Sequence, residues 1–206
     1  MQLDAAVLSA PSAREGEAFA APDSAVTATA PSAAAPVVIV GAGPVGLRVA
    51  QELIKRDPAC PLVIYGEERW QPYNRVRLSS FLAGELGWSS VVTDSLPPDA
   101  ENVELRLGCA VLAIDRAQRT VLDAADRTQP YSHLVLATGS RPQVPLIPGI
   151  ALNGVFTFRS LGDAERLLAR RVRSRRTVVL GGGLLGLEAA RAMRRFNTEV
   201  CVIEHA

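Results

Sequence analysis

One glycine turn occurs twice in this chain, and that repeat limits what it can fold into more than any other feature. The first copy reads Val37-Val38-Ile39-Val40-Gly41-Ala42-Gly43-Pro44-Val45-Gly46, and the second reads Val178-Val179-Leu180-Gly181-Gly182-Gly183-Leu184-Leu185-Gly186. Each follows a short, continuous apolar run of the kind that makes a strand buried on both faces, and each opens a helix-like stretch. After a further apolar run each reaches an acidic residue, Glu67 or Glu68 in the first copy and Glu204 in the second. The order of strand, turn, helix, strand and carboxylate is that of a nucleotide-binding βαβ unit, and its repetition predicts two nucleotide cofactors.

The spacing has a mechanical reason. Gly41 and Gly181 permit the tight strand-to-helix turn, Gly43 and Gly183 let backbone approach a pyrophosphate, and Gly46 and Gly186 bring helix and strand together. Pro44, Val45, Leu184 and Leu185 then form the first helical turns, where free N–H groups and the positive end of the helix dipole face the diphosphate. A carboxylate at the end of the next strand can accept hydrogen bonds from an adenosine ribose. Glu67 and Glu68 both lie within reach of that place, and Glu204 is expected to hold the equivalent one. A carboxylate there accepts a free 2′-hydroxyl and repels a 2′-phosphate, so NADH is favoured over NADPH, a preference that the adjacent His205 would soften.

The bulk numbers narrow the class. With 206 residues, 48% of them hydrophobic, and a net charge of +1, the chain can bury a core and carries no bias toward nucleic acid. Lys55 is the only lysine, so arginine supplies almost all the positive charge. Cys60, Cys109 and Cys201 are too scattered for a CxxC pair or a disulfide framework, which predicts no metal site. No Ser/His/Asp set is evident, and no catalytic side chain is assigned; His133 and His205 read as structural. The arginines at 166, 170, 171, 173, 175 and 176 read as a solvated helix face and its exit loop, with attraction of an acidic partner as the alternative. No apolar run approaches the roughly 18–20 residues that span a bilayer. The N-terminus carries Asp4, Glu15, Glu17 and Asp23 in place of a basic start, and the expectation is a cytoplasmic protein with no membrane or nucleic-acid partner.

Along the chain, residues 1–35 are rich in Ala, Pro and Ser and are expected to be a disordered leader. A strand over 37–40, a helix over 45–56 with Val45, Val49, Leu53 and Ile54 on its apolar face, and a strand over 62–65 make the first unit. Residues 66–100 read as an irregular connection, followed by hairpin strands over 103–106, 110–114 and 120–122 and a buried parallel strand over 134–137. A helix over 160–171, started by Ser160 or Asp163 and burying Leu167 and Leu168, precedes the second unit, with strands over 177–180 and 200–203.

The stretch Gly66-Glu67-Glu68-Arg69-Trp70-Gln71-Pro72-Tyr73-Asn74-Arg75-Val76-Arg77-Leu78-Ser79 resembles the flavin-binding loop of the pyridine nucleotide-disulfide oxidoreductase superfamily, in the members that lack the disulfide. These include rubredoxin and ferredoxin reductases, apoptosis-inducing factor and the flavin module of NAD(P)H-nitrite reductase large subunits. Val76 and Ser80, where ferredoxin reductases usually carry proline and lysine, and the run Gly181 to Ala190 look most like the nitrite reductase branch. The resemblance covers about residues 36–206.

It implies an α/β fold, a Rossmann-like FAD-binding domain over 36–150 made of a parallel sheet plus a β-hairpin or meander. A connecting segment over 151–176 would follow, and then the first βαβ unit of an inserted NAD(P)-binding Rossmann domain over 177–206. The cofactors implied are FAD and NADH. Carried across by residue, Arg75 would contact the FAD diphosphate or adenosine side, Val111 the adenine through its backbone, and Thr138-Gly139 the flavin pyrophosphate. Glu188 would sit near the nicotinamide. A surface arginine, a buried strand valine and an outward helix glutamate are the plainer alternatives for Arg75, Val111 and Glu188. The Cys-x4-Cys pair of the disulfide reductases has no counterpart, since residues 66–90 contain no cysteine. The expected activity is therefore hydride transfer from NADH to FAD and electron transfer to an unnamed acceptor, of nitrite reductase or of ferredoxin/rubredoxin reductase type. A nicotinamide domain needs more than one βαβ unit, so the chain reads as an N-terminal fragment, with a nucleotide-binding module without turnover as the other possibility.

Overall fold

The run Val37–Val40 forms strand β2, whose central residues Val38 and Ile39 have no exposed surface. A computed structural model describes residues 5–8, 35–92, 96–97 and 100–204. They fall into two compact units built from interleaved stretches of chain, one of residues in 35–73 and 92–139, the other of residues 5–8, 74–91 and 140–204. The division falls after Gly139 and assigns 74–91 to the second unit.

In the first unit the chain runs from β2 through helix α1 (Pro44–Arg56) to β3 (Leu62–Gly66). After the excursion into the other unit it returns as β4 (Val103–Leu107), the antiparallel ribbon β5 (Val111–Asp115), β6 (Thr120–Asp123) and β7 (Thr128–Pro130), and finally β8 (His133–Leu136). The parallel sheet has the order β4-β3-β2-β8. Its two faces are covered differently, because adjacent residues of a strand point to opposite sides. Ile39, Leu62 and Ile64 pack with Ala50 of α1 on one face. Val38, Val63 and Tyr65 pack with Cys109, Val121 and Tyr131 on the ribbon side. The strand over 103–107 therefore pairs parallel with β3 and is not part of the expected hairpin. A long connection precedes it, and only a connection of that length lets a strand return parallel.

Val45 departs from its expected place on the apolar face of α1, since it is 67% exposed while Gly46, Leu47 and Ala50 are buried. It occupies the first turn on the side turned away from Gly46, which is the residue of that turn that meets the strand.

The second unit gathers the stretch expected to be irregular. Asn74 caps a 3-10 turn, Arg75–Arg77, by accepting the Val76 N–H at 3.0 Å, and the short helices α2 (Leu78–Leu82) and α3 (Trp88–Val91) follow. These pieces are too short for apolar periodicity to show them. Strand β9 (Val155–Thr157) was also not expected. It leads into α4 (Leu161–Arg171), where both expected start signals operate together. The Ser160 hydroxyl accepts the Asp163 N–H at 3.1 Å and the Asp163 carboxylate accepts the Ser160 N–H at 2.9 Å, a reciprocal capping box. Leu167 is fully buried and Leu168 half-buried.

Strands β10 (Arg176–Leu180) and β11 (Glu199–Ile203) flank α5 (Leu184–Arg194). Helix α2 packs against α4 and α5, and Glu85 just beyond it accepts Arg191 at 2.7 Å and Arg195 at 2.5 Å. With strand β1 (Ala5–Leu8), the sheet of this unit has the order β11-β10-β1-β9 and is parallel throughout. Strand β1 lies inside the expected leader, paired on one edge with β10 and on the other with β9. Four residues followed by a stretch rich in Ala, Pro and Ser are too few to show a periodic signal, which is why composition alone hid this strand. The rest of the expected leader lies outside the described residues. Among the described residues no helix is long and apolar enough to cross a membrane, and no group of His, Cys, Asp and Glu could hold a metal ion.

Candidate nucleotide-binding turns

The two glycine turns share a backbone conformation and a closure onto the neighbouring strand. Gly41 has φ +117° and Gly181 φ +109°, a region side chains rarely adopt. Their N–H groups close onto the adjacent strand at the same register, Gly41 to the Tyr65 carbonyl and Gly181 to the Ile203 carbonyl, both at 2.8 Å. A Cβ at Gly41 would stand 2.1 Å from the Ala137 carbonyl oxygen, so the end of β8, with Thr138 and Gly139 beyond it, presses directly on the first turn. A Cβ at Gly46 would stand 1.9 Å from the Gly41 carbonyl oxygen, which fixes the close helix–strand approach. In the second turn Gly186 is likewise buried.

Above both turns the space is open. Gly43 and Gly183 are the N-caps of α1 and α5, and a Cβ at either would meet nothing within 4 Å. No side chain caps either helix, and neither first turn carries an acidic residue. Pro44 opens α1, Val45 points to solvent, and Leu184 and Leu185 are 77% and 38% exposed. Uncapped N–H groups, a positive dipole end and a missing Cβ together make a cradle for an anion, and the residues present fit a dinucleotide diphosphate in both turns.

The structure separates the two acidic residues of the first unit. The Glu68 carboxylate accepts the Tyr73 hydroxyl at 2.7 Å, and its carbonyl accepts the Gly108 N–H at 3.0 Å. Glu68 therefore holds the loop that follows the strand, whereas Glu67 is exposed at the strand end. In the second unit the Glu204 carboxylate accepts the N–H of Gly182.

The register corrects one equivalence. Val40 pairs with Tyr65 and Leu180 with Ile203, so the residue matching Glu204 is Gly66, one position before Glu67. Residue 205, which matches Glu67, lies outside the described residues. The two strands are equally long, and the offset comes from Gly66 standing between the first strand's apolar run and Glu67.

Val111 is half-buried at the start of β5, opposite Asp123. The Cys109 N–H donates to the Gly66 carbonyl at 2.9 Å, so the segment that leads into Val111 is tied to the strand end carrying Glu67. Beneath it lies a polar cluster. Asp123 has no exposed surface; Arg127 donates to it at 2.9 Å and also reaches the Cys109 Sγ at 3.5 Å. Burial pushes the Asp123 carboxyl up, but the Arg127 and Ala125 N–H groups, the Arg127 guanidinium and the Cys109 thiol outweigh it and hold the carboxyl at about 2. Alongside, Arg106 donates to Glu104 at 2.6 Å, to Gln129 at 3.0 Å and to the Tyr65 hydroxyl.

Arg75 belongs to the second unit, together with the second turn. Its guanidinium donates to the Arg159 carbonyl at 3.2 Å, and the Arg159 Nε donates to the Ser140 carbonyl at 2.7 Å. Arg159 thus joins Arg75 to the residue that follows Thr138-Gly139, a role no local pattern announces because a lone arginine before a helix cap looks like any surface cation. Glu188 lies one helical turn after Leu184 on α5 and is half-buried.

Residues 35–206 match the family model described as Pyridine nucleotide-disulphide oxidoreductase. The chain belongs to that family. Among its relatives is the nitrite reductase [NAD(P)H] large subunit of Klebsiella oxytoca, 41% identical over 172 residues, which cover 82% of this chain and 18% of that protein. Another is the ferredoxin–NAD(+) reductase component of the anthranilate 1,2-dioxygenase system of Burkholderia cepacia, 44% identical over 177 residues, covering 83% of this chain and 43% of that protein. Among solved structures, the covalent putidaredoxin reductase–putidaredoxin complex superposes with a TM-score of 0.72 at 34% identity, covering 83% of this chain and 42% of that one. The chain thus spans less than half the length of these relatives.

Proposed function

We propose that this chain forms the FAD-binding part, and the opening of the nicotinamide-nucleotide part, of an NADH-dependent flavoprotein reductase that delivers electrons to a separate acceptor or a downstream redox domain. One observation carries this reading. Two uncapped glycine turns, each with open space above its helix N-terminus, stand on separate parallel sheets in a chain of this family.

FAD and the nicotinamide supply hydride and electron-transfer chemistry when bound; the protein contributes position and field. In the first unit Gly41, Gly43 and Gly46 with Pro44 and Val45 would hold the FAD diphosphate, and Thr138-Gly139 would close over it from the end of β8. Glu67 would take the ribose hydroxyls, with Glu68 committed to Tyr73. Val111, secured through Cys109, would meet the adenine. In the second unit Gly181, Gly183 and Gly186 with Leu184 and Leu185 would hold the NADH diphosphate, and Glu204 its adenosine ribose. Glu188 would lie toward the nicotinamide.

Val76 and Ser80 favour an acceptor of the nitrite reductase kind, in which the flavin passes electrons to a further redox centre. The Burkholderia relative favours the second reading, a ferredoxin as acceptor. The deciding measurement is the absorbance spectrum of the purified protein before and after anaerobic NADH. Yellow flavin absorbance that bleaches with NADH is expected. Colourless protein that neither takes up FAD nor responds to NADH would overturn the reading. Transfer from the bleached protein to an added [2Fe–2S] ferredoxin would select the second acceptor.

A further inference from the structure

The two turns solve one steric problem in opposite ways. The residue after the first glycine of each turn faces the residue at the end of the neighbouring strand, and only one of the two can carry a long side chain. In the first unit the inner residue is Ala42. A Cβ built on the facing Gly66 would lie 3.0 Å from the Ala42 Cβ and 3.0 Å from the Leu107 Cδ2. A side chain at 66 would have to push Ala42 or Leu107 aside, and the acidic group stands one residue along, at Glu67.

In the second unit the arrangement is reversed. The inner residue is Gly182 and the facing residue is Glu204. A Cβ built on Gly182 would lie 3.0 Å from the Glu204 Oε2, 3.2 Å from its Cβ and 3.4 Å from its Cγ. The Glu204 side chain thus crosses the place where Gly182 lacks a Cβ, and its carboxylate ends on the Gly182 N–H.

We propose that Gly182 is the residue that sets the nucleotide selectivity of the second turn, because its missing Cβ lets Glu204 lie across the turn and fixes the carboxylate there. A carboxylate held on the turn backbone accepts a 2′-hydroxyl and repels a 2′-phosphate; one pushed aside does neither well. The glutamate supplies the charge and the glycine supplies its address. The proposal rests on the reading of this turn as the nicotinamide-nucleotide site.

The test is the affinity of the full chain for NADH and for NADPH, measured by calorimetric titration, in Gly182→Ala and, separately, Glu204→Gln. Adding one methyl forces Glu204 to move by a few tenths of an ångström or more while the turn glycines at 181, 183 and 186 remain. The expected result is a fall of roughly tenfold in the NADH-to-NADPH affinity ratio in Gly182→Ala, with FAD content unchanged because the first unit is untouched. Glu204→Gln should lower the ratio at least as much. Should Gly182→Ala fail to fold, Glu204→Asp is decisive instead, since the shorter acid keeps the charge but cannot reach the Gly182 N–H. Its ratio should fall as well.

An unchanged ratio in Gly182→Ala, or in Glu204→Asp where that variant is the one read, combined with a lowered ratio in Glu204→Gln, overturns the role of Gly182 and leaves the carboxylate reading standing. Unchanged ratios in every variant overturn both. Failure of the wild-type chain to bind either nucleotide overturns the site reading and this proposal with it.

Discussion

The buried carboxylate of Asp123 accepts the guanidinium Nε of Arg127 at 2.9 Å, and the same guanidinium reaches the Cys109 sulfur at 3.5 Å. One side chain of the ribbon thereby fastens both its own turn and the segment leading into Val111. Asp123 sits at about 2 in the fold, below the ordinary carboxylate value. A depressed value means that its contribution to stability is complete above about pH 4 and is lost as pH falls toward about 2. Asp123→Ala should lower the melting temperature at pH 7 by at least about 5 °C. The gap between wild type and variant should close as pH drops through that window; a gap that stays constant to pH 2 would contradict the assignment.

Gly41→Ala and Gly43→Ala should behave differently although both sit in one motif. At Gly41 the added Cβ meets the Ala137 carbonyl oxygen at 2.1 Å in a backbone of φ +117°, so the variant should lose at least about 2 kcal/mol of stability in urea unfolding. At Gly43 the Cβ meets nothing within 4 Å. Its flavin-free form should melt like the wild type, and only the rise in melting temperature on adding FAD should shrink. Equal melting of the two flavin-free variants would refute the packing argument.

Glu67→Ala and Glu68→Ala should also part company. Glu68 is bonded to Tyr73 and should weaken the loop, lowering the melting temperature of the flavin-free chain. Glu67 stands exposed at the strand end and should cost roughly tenfold in FAD affinity with little change in melting. Flavin fluorescence quenching reads the first quantity and calorimetry the second.

Thr177 is fully buried in β10, and its hydroxyl has no hydrogen-bond partner among the described residues. Thr177→Val keeps the shape and removes the unsatisfied group, so it should stabilise the second unit by about 1 kcal/mol in denaturant unfolding. A loss of stability would mean that the hydroxyl finds a partner in solution.

Much of the fold was legible because it is written in continuous apolar runs. Val37–Val40, Leu62–Tyr65 and Val178–Leu180 are strands for the reason that predicted them, and the glycine spacing gave both turns. What was hidden depended on pairing over distance. Val103–Leu107 has strand composition, but nothing local says that it joins β3 in parallel. Short pieces such as Leu78–Leu82 and Ala5–Leu8 fall below the length at which periodicity shows. At the site, the residue types were legible and their division of labour was not. The Tyr73 bond and the Gly108 N–H single out Glu68, and Glu204 matches Gly66 because strand register is a property of the sheet. Arg159 became visible only through its bonds to Arg75 and Ser140.

The placement of β1 between β9 and β10 has a consequence in time. Ala5–Leu8 can take its place only once Val155–Thr157 and Arg176–Leu180 are there to receive it, since both of its edges pair with residues beyond 154. Loop closure of that span is entropically slow, and pairings so distant in sequence are the last that a chain completes. During folding Ala5–Leu8 must therefore stay unpaired until both of its distant partners are formed, and the sheet of the second unit is joined in its middle by its most remote strand.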